Sequence, residues 1–303
     1  MRAARLHEIG GIPRVDEIPE PAGDELLEVL VAGLNPVDIT IGNGRFHTGA
    51  PDVPYVIGTE VVATKGDGRR YWYYDRGTMA ELIAPVLPGR VIPVPEGVPD
   101  DLAIACGVAG LTGWLAVTWR APVGPDDTVL VLGPGPIGLL CAVMAKLSGA
   151  RHLIVAGLPA DAKRLAVAKQ IGADSIVAGD PLPAIRELGD GLGVDVGIDA
   201  AGVSATLQTA MKAVRPGGQI LKVGWGPQPL NFSLDPLVQK AVQLRGSFSH
   251  NWPVWERVIA MIAAGQINLD PVISRVAPLA EWHDCFEKMH SGEYVKAVLK
   301  PCA

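Results

Sequence analysis

One stretch, residues 127–150, limits the possible folds of this chain more than any other. Its first part, Thr128–Leu132, is a short apolar run rich in β-branched residues, which predicts a buried strand. The turn Gly133-Pro134-Gly135-Pro136-Ile137-Gly138 follows directly, and a second apolar run, of helical length, ends at Gly149. A strand that leads into a glycine turn and then into a helix is the context in which the pattern G-x-G-x-x-G indicates a dinucleotide-binding site.

The three glycines of this turn each have a physical role in such a site. Gly133 permits the tight turn, Gly135 lets the backbone approach a pyrophosphate, and Gly138 lets the helix pack against the strand. The N-terminus of the helix adds N–H groups and the positive end of the helix dipole. A plain packing turn without a ligand is the alternative, but the flanking strand and helix favour the cofactor site. We therefore predict that the pyrophosphate lies against Gly133, Gly135, Pro136, Ile137 and Gly138.

Composition argues against several classes of partner. The chain has 303 residues, of which 49% are hydrophobic and 19% charged, so it can bury a core large enough for two domains. Its net charge of -6 argues against binding to a nucleic-acid backbone. The four cysteines are scattered without a C-x-x-C pair, which predicts a reducing cytoplasm and gives no metal-site spacing. One of the two longest uncharged runs, residues 128–145, contains the glycine-proline turn, so we interpret it as a strand and a core helix rather than a membrane span.

The pattern of secondary structure changes near residue 100. Residues 1–98 form short strand-like runs broken by Gly and Pro, which indicates a β-rich, partly barrel-like region. Within it, residues 26–34 are predicted as a strand that ends in a turn at residues 35–38. From residue 100 onward β and α patterns alternate, which predicts a parallel doubly wound sheet. Its strands are predicted at residues 128–132, 153–156, 175–177, 194–199, 219–224 and 243–246.

The chain also carries a series of short motifs by which it resembles the medium-chain dehydrogenase/reductase superfamily. Each motif is weak alone, but their order and spacing are specific; besides the glycine turn they lie at residues 32–38, 54–60, 77–81, 110–113, 195–199, 215–218 and 291–299. The resemblance implies a Rossmann doubly wound parallel sheet domain, residues 101–267, inserted into a GroES-like β-rich catalytic domain, residues 1–100 plus 268–303. We also expect a homodimer that acts on a small molecule.

The superfamily contains zinc alcohol dehydrogenases and zinc-free reductases, and the sequence favours the second group. A catalytic zinc needs three protein ligands and an open position. The positions that carry the zinc ligands and the proton-relaying hydroxyl in zinc members hold Asn35, Thr59, Val108 and Val37 in this chain. Cys106 lies two residues from the third of these positions, and we interpret Glu60 as a structural hydrogen-bond acceptor. The expectation is a site without a metal.

The motif Asn35-Pro36-Val37-Asp38 resembles the quinone oxidoreductase and enoyl reductase branch of the superfamily. This resemblance implies that Asn35 lies near the nicotinamide and the substrate oxygen. Some relatives carry a tyrosine, the proposed proton donor in enoyl reductases, about where this chain has Phe46, which cannot donate a proton. The adjacent His47 is therefore the candidate proton donor. The alternative is that His47 is an ordinary surface histidine.

Cofactor preference depends on the residue after the second Rossmann strand, where an acid selects NAD. Gly157 stands there, so we predict NADP(H), with Lys163 or Arg164 reaching the 2′-phosphate. The alternative for these two cations is an ordinary solvated helix surface. The nearby Asp161 is interpreted as part of the N-cap of the next helix. We further expect cofactor contacts from Thr112, Gly224, Phe248 and Lys296.

Three functions are compatible with these motifs. The leading prediction is a zinc-independent, NADP(H)-dependent oxidoreductase that reduces a quinone or a conjugated carbonyl by hydride transfer. The first alternative is a zinc-free polyol or alcohol dehydrogenase, because residues 157–172 resemble zinc-family members more than quinone reductases. The second alternative is a non-catalytic NADPH-binding protein. No motif identifies the substrate.

Overall fold

The computed structural model describes residues 1–23, 25–85, 91–226, 228–249 and 252–302. The chain divides into two compact units, Met1–Gly107 with Trp255–Ala303 and Val108–Val254. The predicted dinucleotide-binding domain covered residues 101–267, so the observed second unit is shorter at both ends. Most of the helix Trp252–Ala263, which the sequence assigned to the dinucleotide domain, belongs to the first unit.

The strands, in chain order, have the following limits. They are β1 (Arg2–Leu6), β2 (Arg14–Glu17), β3 (Leu27–Gly33), β4 (Tyr55–Val56), β5 (Glu60–Thr64), β6 (Arg70–Tyr74), β7 (Leu82–Ile83), β8 (Val91–Pro93), β9 (Thr128–Leu132), β10 (His152–Gly157), β11 (Ser175–Ala178), β12 (Val194–Asp199), β13 (Val214–Lys222), β14 (Gln243–Gly246), β15 (Ile273–Pro278) and β16 (Lys296–Lys300).

The α-helices are α1 (Pro36–Gly42), α2 (Asp100–Leu115), α3 (Pro136–Leu147), α4 (Ala162–Gln170), α5 (Leu182–Arg186), α6 (Ser204–Ala213), α7 (Asp235–Gln239), α8 (Trp252–Ala263) and α9 (Trp282–His290). Helix α2 is kinked at Gly107 and continues as a π-helical turn, Ala116–Arg120. The helical segment 100–120 is long and apolar enough to cross a membrane. Of its most apolar 18 residues, however, 78% are buried inside the protein. A buried core helix passes the same test, so this helix is weak evidence for a membrane span.

The first unit is built from two sheets. One has the strand order β2-β1-β4, and the other has the order β15-β16-β3-β5-β6-β8, with β7 also paired to β3. The second sheet is antiparallel except for the β15–β16 pair. Alternate residues of β3, among them Leu27 and Val29, are fully buried in a core that also includes Trp282 of α9. Burial on one strand face is the pattern expected of an antiparallel sheet packed on a core.

The second unit contains the predicted parallel sheet. Its strand order is β11-β10-β9-β12-β13-β14, and every neighbouring pair is parallel. The predicted Rossmann fold is therefore confirmed. Because the order reverses between β9 and β12, a ligand is expected at the carboxyl ends of these two strands. Strand β13 begins before the predicted residue 219, and its pairing with β12 is interrupted by a bulge at residues 215–218, which contain Pro216.

The predicted turn at residues 35–38 is wrong, because these residues begin helix α1. Asn35 is the N-cap, Pro36 occupies the first helical position, and the backbone N–H of Asn35 donates to Oδ2 of Asp38 at 2.8 Å. Proline at the first position and an acid in the first turn are helix-start signals. The segment 36–42 is short, and its Asn-Pro pair is also typical of a turn.

Candidate functional site

The glycine turn has the close packing that a dinucleotide site needs. Gly133 has a φ of +99°, and a Cβ atom there would lie 2.9 Å from the backbone nitrogen of Ala201. A Cβ atom at Gly138 would overlap the carbonyl oxygen of Gly133. Strand β9, helix α3 and the loop after β12 therefore approach each other at distances that only glycine permits.

Gly135 differs from the other two glycines of the turn. A Cβ atom at Gly135 would meet nothing within 4 Å, and its backbone is extended, with φ -73° and ψ 179°. It is the N-cap of α3, and Pro136 occupies the first helical position. The N–H groups of the first helical turn have no carbonyl partner within the helix. The open space at Gly135 and these donors fit a pyrophosphate, so the residues present fit a dinucleotide cofactor.

The loops after β12 and β13 lie at the carboxyl ends of the parallel strands, as the glycine turn after β9 does. The buried Asp199 accepts hydrogen bonds from the N–H of Gly202 at 2.8 Å and from Nζ of Lys222 at 3.2 Å. A Cβ atom at Gly202 would lie 2.5 Å from the carbonyl carbon of Gly224, so the two loops are in direct backbone contact. Gly224, a predicted cofactor residue, is thus held beside the glycine turn by a network that no local sequence pattern reveals.

The loop after β10 contains the residues predicted to choose the cofactor. A Cβ atom at Gly157 would lie 2.8 Å from Cδ of Pro134 and 3.0 Å from Oδ2 of Asp161. Asp161 accepts a hydrogen bond from the N–H of Leu158 at 2.9 Å, and its other oxygen lies 3.6 Å from Arg164. The carboxylate of Asp161 therefore lies beside the position where the selecting acid was expected. Gly157→Asp would also displace Pro134, so charge substitutions at 161 and 164 are the cleaner test.

The remaining predicted residues are spread over both units. In the second unit, Thr112 is buried on α2, Lys163 is exposed, and Phe248 is 58% exposed with its ring 6.3 Å from that of Trp225. In the first unit, His47 is exposed and its ring centroid lies 4.4 Å from that of Phe46. Their roles in cofactor contact and proton donation stay predictions.

Five polar side chains of the first unit form a buried polar cluster: Asn35, Asp38, Thr59, Glu60 and Lys296. The ammonium of Lys296 donates to Oδ1 of Asn35 at 2.6 Å and to Oε1 of Glu60 at 2.8 Å. The amide nitrogen of Asn35 donates to the same Glu60 oxygen at 2.8 Å. The side chain of Lys296 is fully buried in this cluster, and its contact with the cofactor stays a prediction. Glu60 is the hydrogen-bond acceptor that the sequence predicted.

Two glycines make room for the carboxylate of Glu60. A Cβ atom at Gly33 would overlap Oε1, and a Cβ atom at Gly107 would overlap Oε2. Gly33 ends strand β3, and Gly107 is the residue at which helix α2 is kinked. A larger residue at either position would displace the acid from its ammonium partner.

Asp38 and Thr59 form the other half of the cluster. The hydroxyl of Thr59 donates to Oδ1 of Asp38 at 2.9 Å, and the N–H of Asn35 donates to Oδ2 at 2.8 Å. Burial raises the pKa of Asp38 from 3.8 to about 7, although the two hydrogen bonds and the ammonium of Lys296 oppose this change and Glu60 adds to it. Near neutral pH this carboxyl group can therefore both bind and release a proton.

The raised pKa of Asp38 predicts a specific pH dependence of stability. Between pH 3.8 and about 7 the folded protein binds this proton more tightly than the unfolded chain. The free energy of unfolding should therefore fall as pH rises through this window and level off above it, by about 4 kcal/mol from Asp38. Asp38→Asn should remove this slope, because its amide can accept from the N–H of Asn35 and donate to Thr59. Denaturant unfolding of both proteins at several pH values measures the difference, and parallel curves would contradict the assignment.

The donor set of the cluster does not fit a catalytic zinc. Asn35 and Thr59 offer an amide and a hydroxyl in place of the cysteine and histidine of zinc members, and zinc sites use thiolate, imidazole and carboxylate ligands. Cys106 is buried, and burial raises the pKa of its thiol to about 12, which disfavours the thiolate. Within the described ranges, no three or more His, Cys, Asp or Glu side chains are grouped so that they could hold a metal ion.

Comparison with known proteins shows which dehydrogenases this chain resembles. Residues 136–264 match the family model described as zinc-binding dehydrogenase. D-arabitol-phosphate dehydrogenase of Enterococcus avium is 35% identical over 209 residues, which is 68% of this chain and 57% of that protein. Sorbitol dehydrogenase of Halalkalibacterium halodurans is 32% identical over 216 residues, 69% of this chain and 61% of that protein. By these matches the chain is similar to members of the medium-chain dehydrogenase/reductase superfamily. It spans about three fifths of the length of these curated relatives.

Solved structures support the same fold. Alcohol dehydrogenase TADH from Thermus sp. ATN1 superposes on this chain with a TM-score of 0.85 over 99% of both chains, at 24% sequence identity. Two further structural neighbours were solved with NADH and with NADP, respectively. The quinone oxidoreductase branch predicted from residues 35–38 is not confirmed, because these relatives are named as polyol and alcohol dehydrogenases.

Proposed function

We propose that this protein is a nicotinamide-dependent dehydrogenase that transfers a hydride between the cofactor and the hydroxyl-bearing or carbonyl carbon of a small polyol or alcohol. The glycine turn carries this proposal, because Gly135 faces open space at the N-terminus of α3, where a pyrophosphate fits. The names of the curated relatives favour a polyol or alcohol as substrate. When bound, the nicotinamide supplies or accepts the hydride.

The protein's own residues bind and orient the reactants. The backbone of Gly135, Ile137 and Gly138 would hold the pyrophosphate, and the contact of Gly202 with Gly224 fixes the neighbouring loops. Positioning of this kind contributes to the rate because it removes the entropic cost of bringing two reactants together. In the first unit, Asn35 and Thr59 are the members of the polar cluster with the most residual exposure, 6% and 3%.

We propose that catalysis does not use zinc, since an amide and a hydroxyl stand where zinc members have cysteine and histidine. Metal analysis of the purified protein, combined with activity after treatment with a chelator, tests this. The expected result is substoichiometric zinc and unchanged activity. Stoichiometric zinc whose removal abolishes turnover would show that the proposal is wrong.

A reductase of quinones or conjugated carbonyls is the second candidate, and the motif at residues 35–38 favours it. One screen separates the possibilities: polyols, polyol phosphates, simple alcohols, aldehydes, enones and quinones with both cofactors, measured by absorbance of the reduced nicotinamide. Oxidation of a polyol or alcohol supports the main proposal, and turnover of enones or quinones alone supports the second. Cofactor binding without any turnover would support a non-catalytic NADPH-binding protein.

We further propose a soluble homodimer, whereas the cytoplasmic location stays a prediction.

We propose NADP(H) as the preferred cofactor, because Gly157 carries no carboxylate and Arg164 lies in the first turn of α4, the helix that follows. Asp161→Asn should shift the preference further toward NADPH, since it removes the negative charge beside Gly157 but keeps an acceptor for the N–H of Leu158. Arg164→Ala should shift it toward NADH by about 10-fold to 100-fold, the usual effect of losing a hydrogen bond to a charged group. Dissociation constants for both cofactors measure these shifts. Equal effects on NADPH and NADH would contradict the role of this loop.

A further inference from the structure

The buried polar cluster contains a route for a proton. We propose that the hydroxyl of Thr59 accepts the hydroxyl proton of the substrate while passing its own proton to Asp38. This inference rests on the proposed dehydrogenase function and names the acid–base groups of that reaction. Thr59 would touch the substrate, whereas Asp38 would act through Thr59.

Residual exposure limits which group of the cluster can meet a substrate. Glu60 and Lys296 have no exposed surface, and Asp38 is 1% exposed. Asn35 and Thr59 keep the largest residual exposure of the five, 6% and 3%, but the amide of Asn35 is already held at both ends, by Lys296 and by Glu60. The hydroxyl of Thr59 donates to Asp38 and accepts a long hydrogen bond, 3.5 Å, from the amide of Asn35, so it keeps a second lone pair that can accept a proton from another hydroxyl. Thr59 is therefore the member of the cluster best able to accept that proton.

The charges around Asp38 suit it to receive the proton from Thr59. The groups that face it are Lys296 on β16, Glu60 on β5 and the Tyr55 hydroxyl on β4. The ammonium of Lys296 is bonded to Glu60, so its charge is already largely neutralised there. Asp38 is consequently a buried acid without a full counter-charge, and its pKa of about 7 supports proton exchange near neutral pH.

The reaction step balances as follows for alcohol oxidation. The C–H bond would break with its electron pair, which the oxidised nicotinamide, when bound, would accept as hydride. The substrate O–H bond breaks, its proton forms a bond to Oγ1 of Thr59, and the original Thr59 proton moves to Oδ1 of Asp38. The substrate becomes a carbonyl compound, and the carboxylate becomes a carboxylic acid. Reduction of a carbonyl is the reverse.

Four variants test the route: Thr59→Val, Thr59→Ser, Asp38→Asn and His47→Gln. Thr78→Val is the matched control, because Thr78 is also fully buried and its hydroxyl has no hydrogen-bond partner among the described residues. Cofactor dissociation constants and unfolding curves show whether each variant is folded. The readouts are kcat, KM and the pH profile of kcat for an alcohol found in the screen.

We expect Thr59→Val to lower kcat about 100-fold or more, the usual contribution of general acid–base catalysis. It should also abolish the inflection of the pH profile near 7, with little change in cofactor affinity. Asp38→Asn should abolish the same inflection, and Thr59→Ser should retain it. Thr78→Val should behave as wild type. An inflection that survives in Thr59→Val and Asp38→Asn but disappears in His47→Gln would overturn the proposal in favour of His47.

An infrared titration separates failure of this inference from failure of the proposed function. In the wild type, the carbonyl band of a protonated carboxylic acid should appear as pH falls through about 7. The band should be absent in Asp38→Asn and shifted in Thr59→Val. If the screen finds no substrate, the proposed function fails while this titration still tests the Asp38–Thr59 pair. A wild type without the band overturns the inference whatever the turnover.

Discussion

Gly135→Val is expected to abolish nicotinamide cofactor binding while the protein remains folded. A side chain at this position meets no protein atom within 4 Å, and the extended backbone of Gly135 before Pro136 suits a β-branched residue. The added methyl groups would occupy the space where the backbone meets the pyrophosphate. We expect the dissociation constants for NADPH and NADH to rise at least 100-fold, equivalent to about 2.7 kcal/mol. Fluorescence titration of the reduced cofactors measures this, and circular dichroism verifies the fold.

Gly124→Val is a matched control for this substitution. Gly124 also precedes a proline, and the nearest atom to its Cβ position is Oδ2 of Asp127 at 4.0 Å. It lies before strand β9, at the amino end of the strand, whereas the glycine turn follows the carboxyl end. Gly124→Val should therefore leave cofactor affinity unchanged. The pyrophosphate placement would be refuted by a Gly135→Val protein that binds both cofactors as tightly as Gly124→Val does.

Lys296→Met is expected to cause the largest loss of stability. The substitution preserves much of the side-chain length but removes the ammonium that neutralises the fully buried Glu60. Removing one partner of a buried ion pair leaves an uncompensated charge, which typically costs about 3–5 kcal/mol. Asn35 would lose its 2.6 Å hydrogen bond as well. Urea unfolding measures the change in the free energy of unfolding.

Two further variants identify the cause of this loss. Glu60→Gln in the Lys296→Met background should restore part of the stability, because it removes the buried charge while keeping an acceptor for Asn35. Lys65→Met breaks a solvent-exposed pair with Glu25 and should have little effect. If Lys296→Met were no more destabilising than Lys65→Met, the buried ion pair would not be the main support of this cluster.

Local sequence patterns determined the fold of the second unit. The limits predicted for β9, β12 and β14 agree with the structure, because each is a short, strongly patterned run bounded by turn residues. The glycine turn was recognisable for the same reason, because the positions that require glycine lie close together in sequence. The order of motifs was enough to indicate a resemblance to the superfamily. It did not identify the branch, because residues 35–38 pointed to quinone reductases while the relatives are named as polyol and alcohol dehydrogenases.

Tertiary structure alone decided the polar cluster. Lys296 is separated from Asn35 by 261 residues and from Glu60 by 236 residues along the chain. Its sequence neighbours indicate an ordinary strand, and no local pattern shows which buried acid an ammonium will meet. The same holds for Asp161, whose carboxylate is directed beside Gly157 by a hydrogen bond from Leu158. Periodicity and turn chemistry act between residues close in sequence, whereas the pairing of buried charges depends on which distant strands the fold brings together.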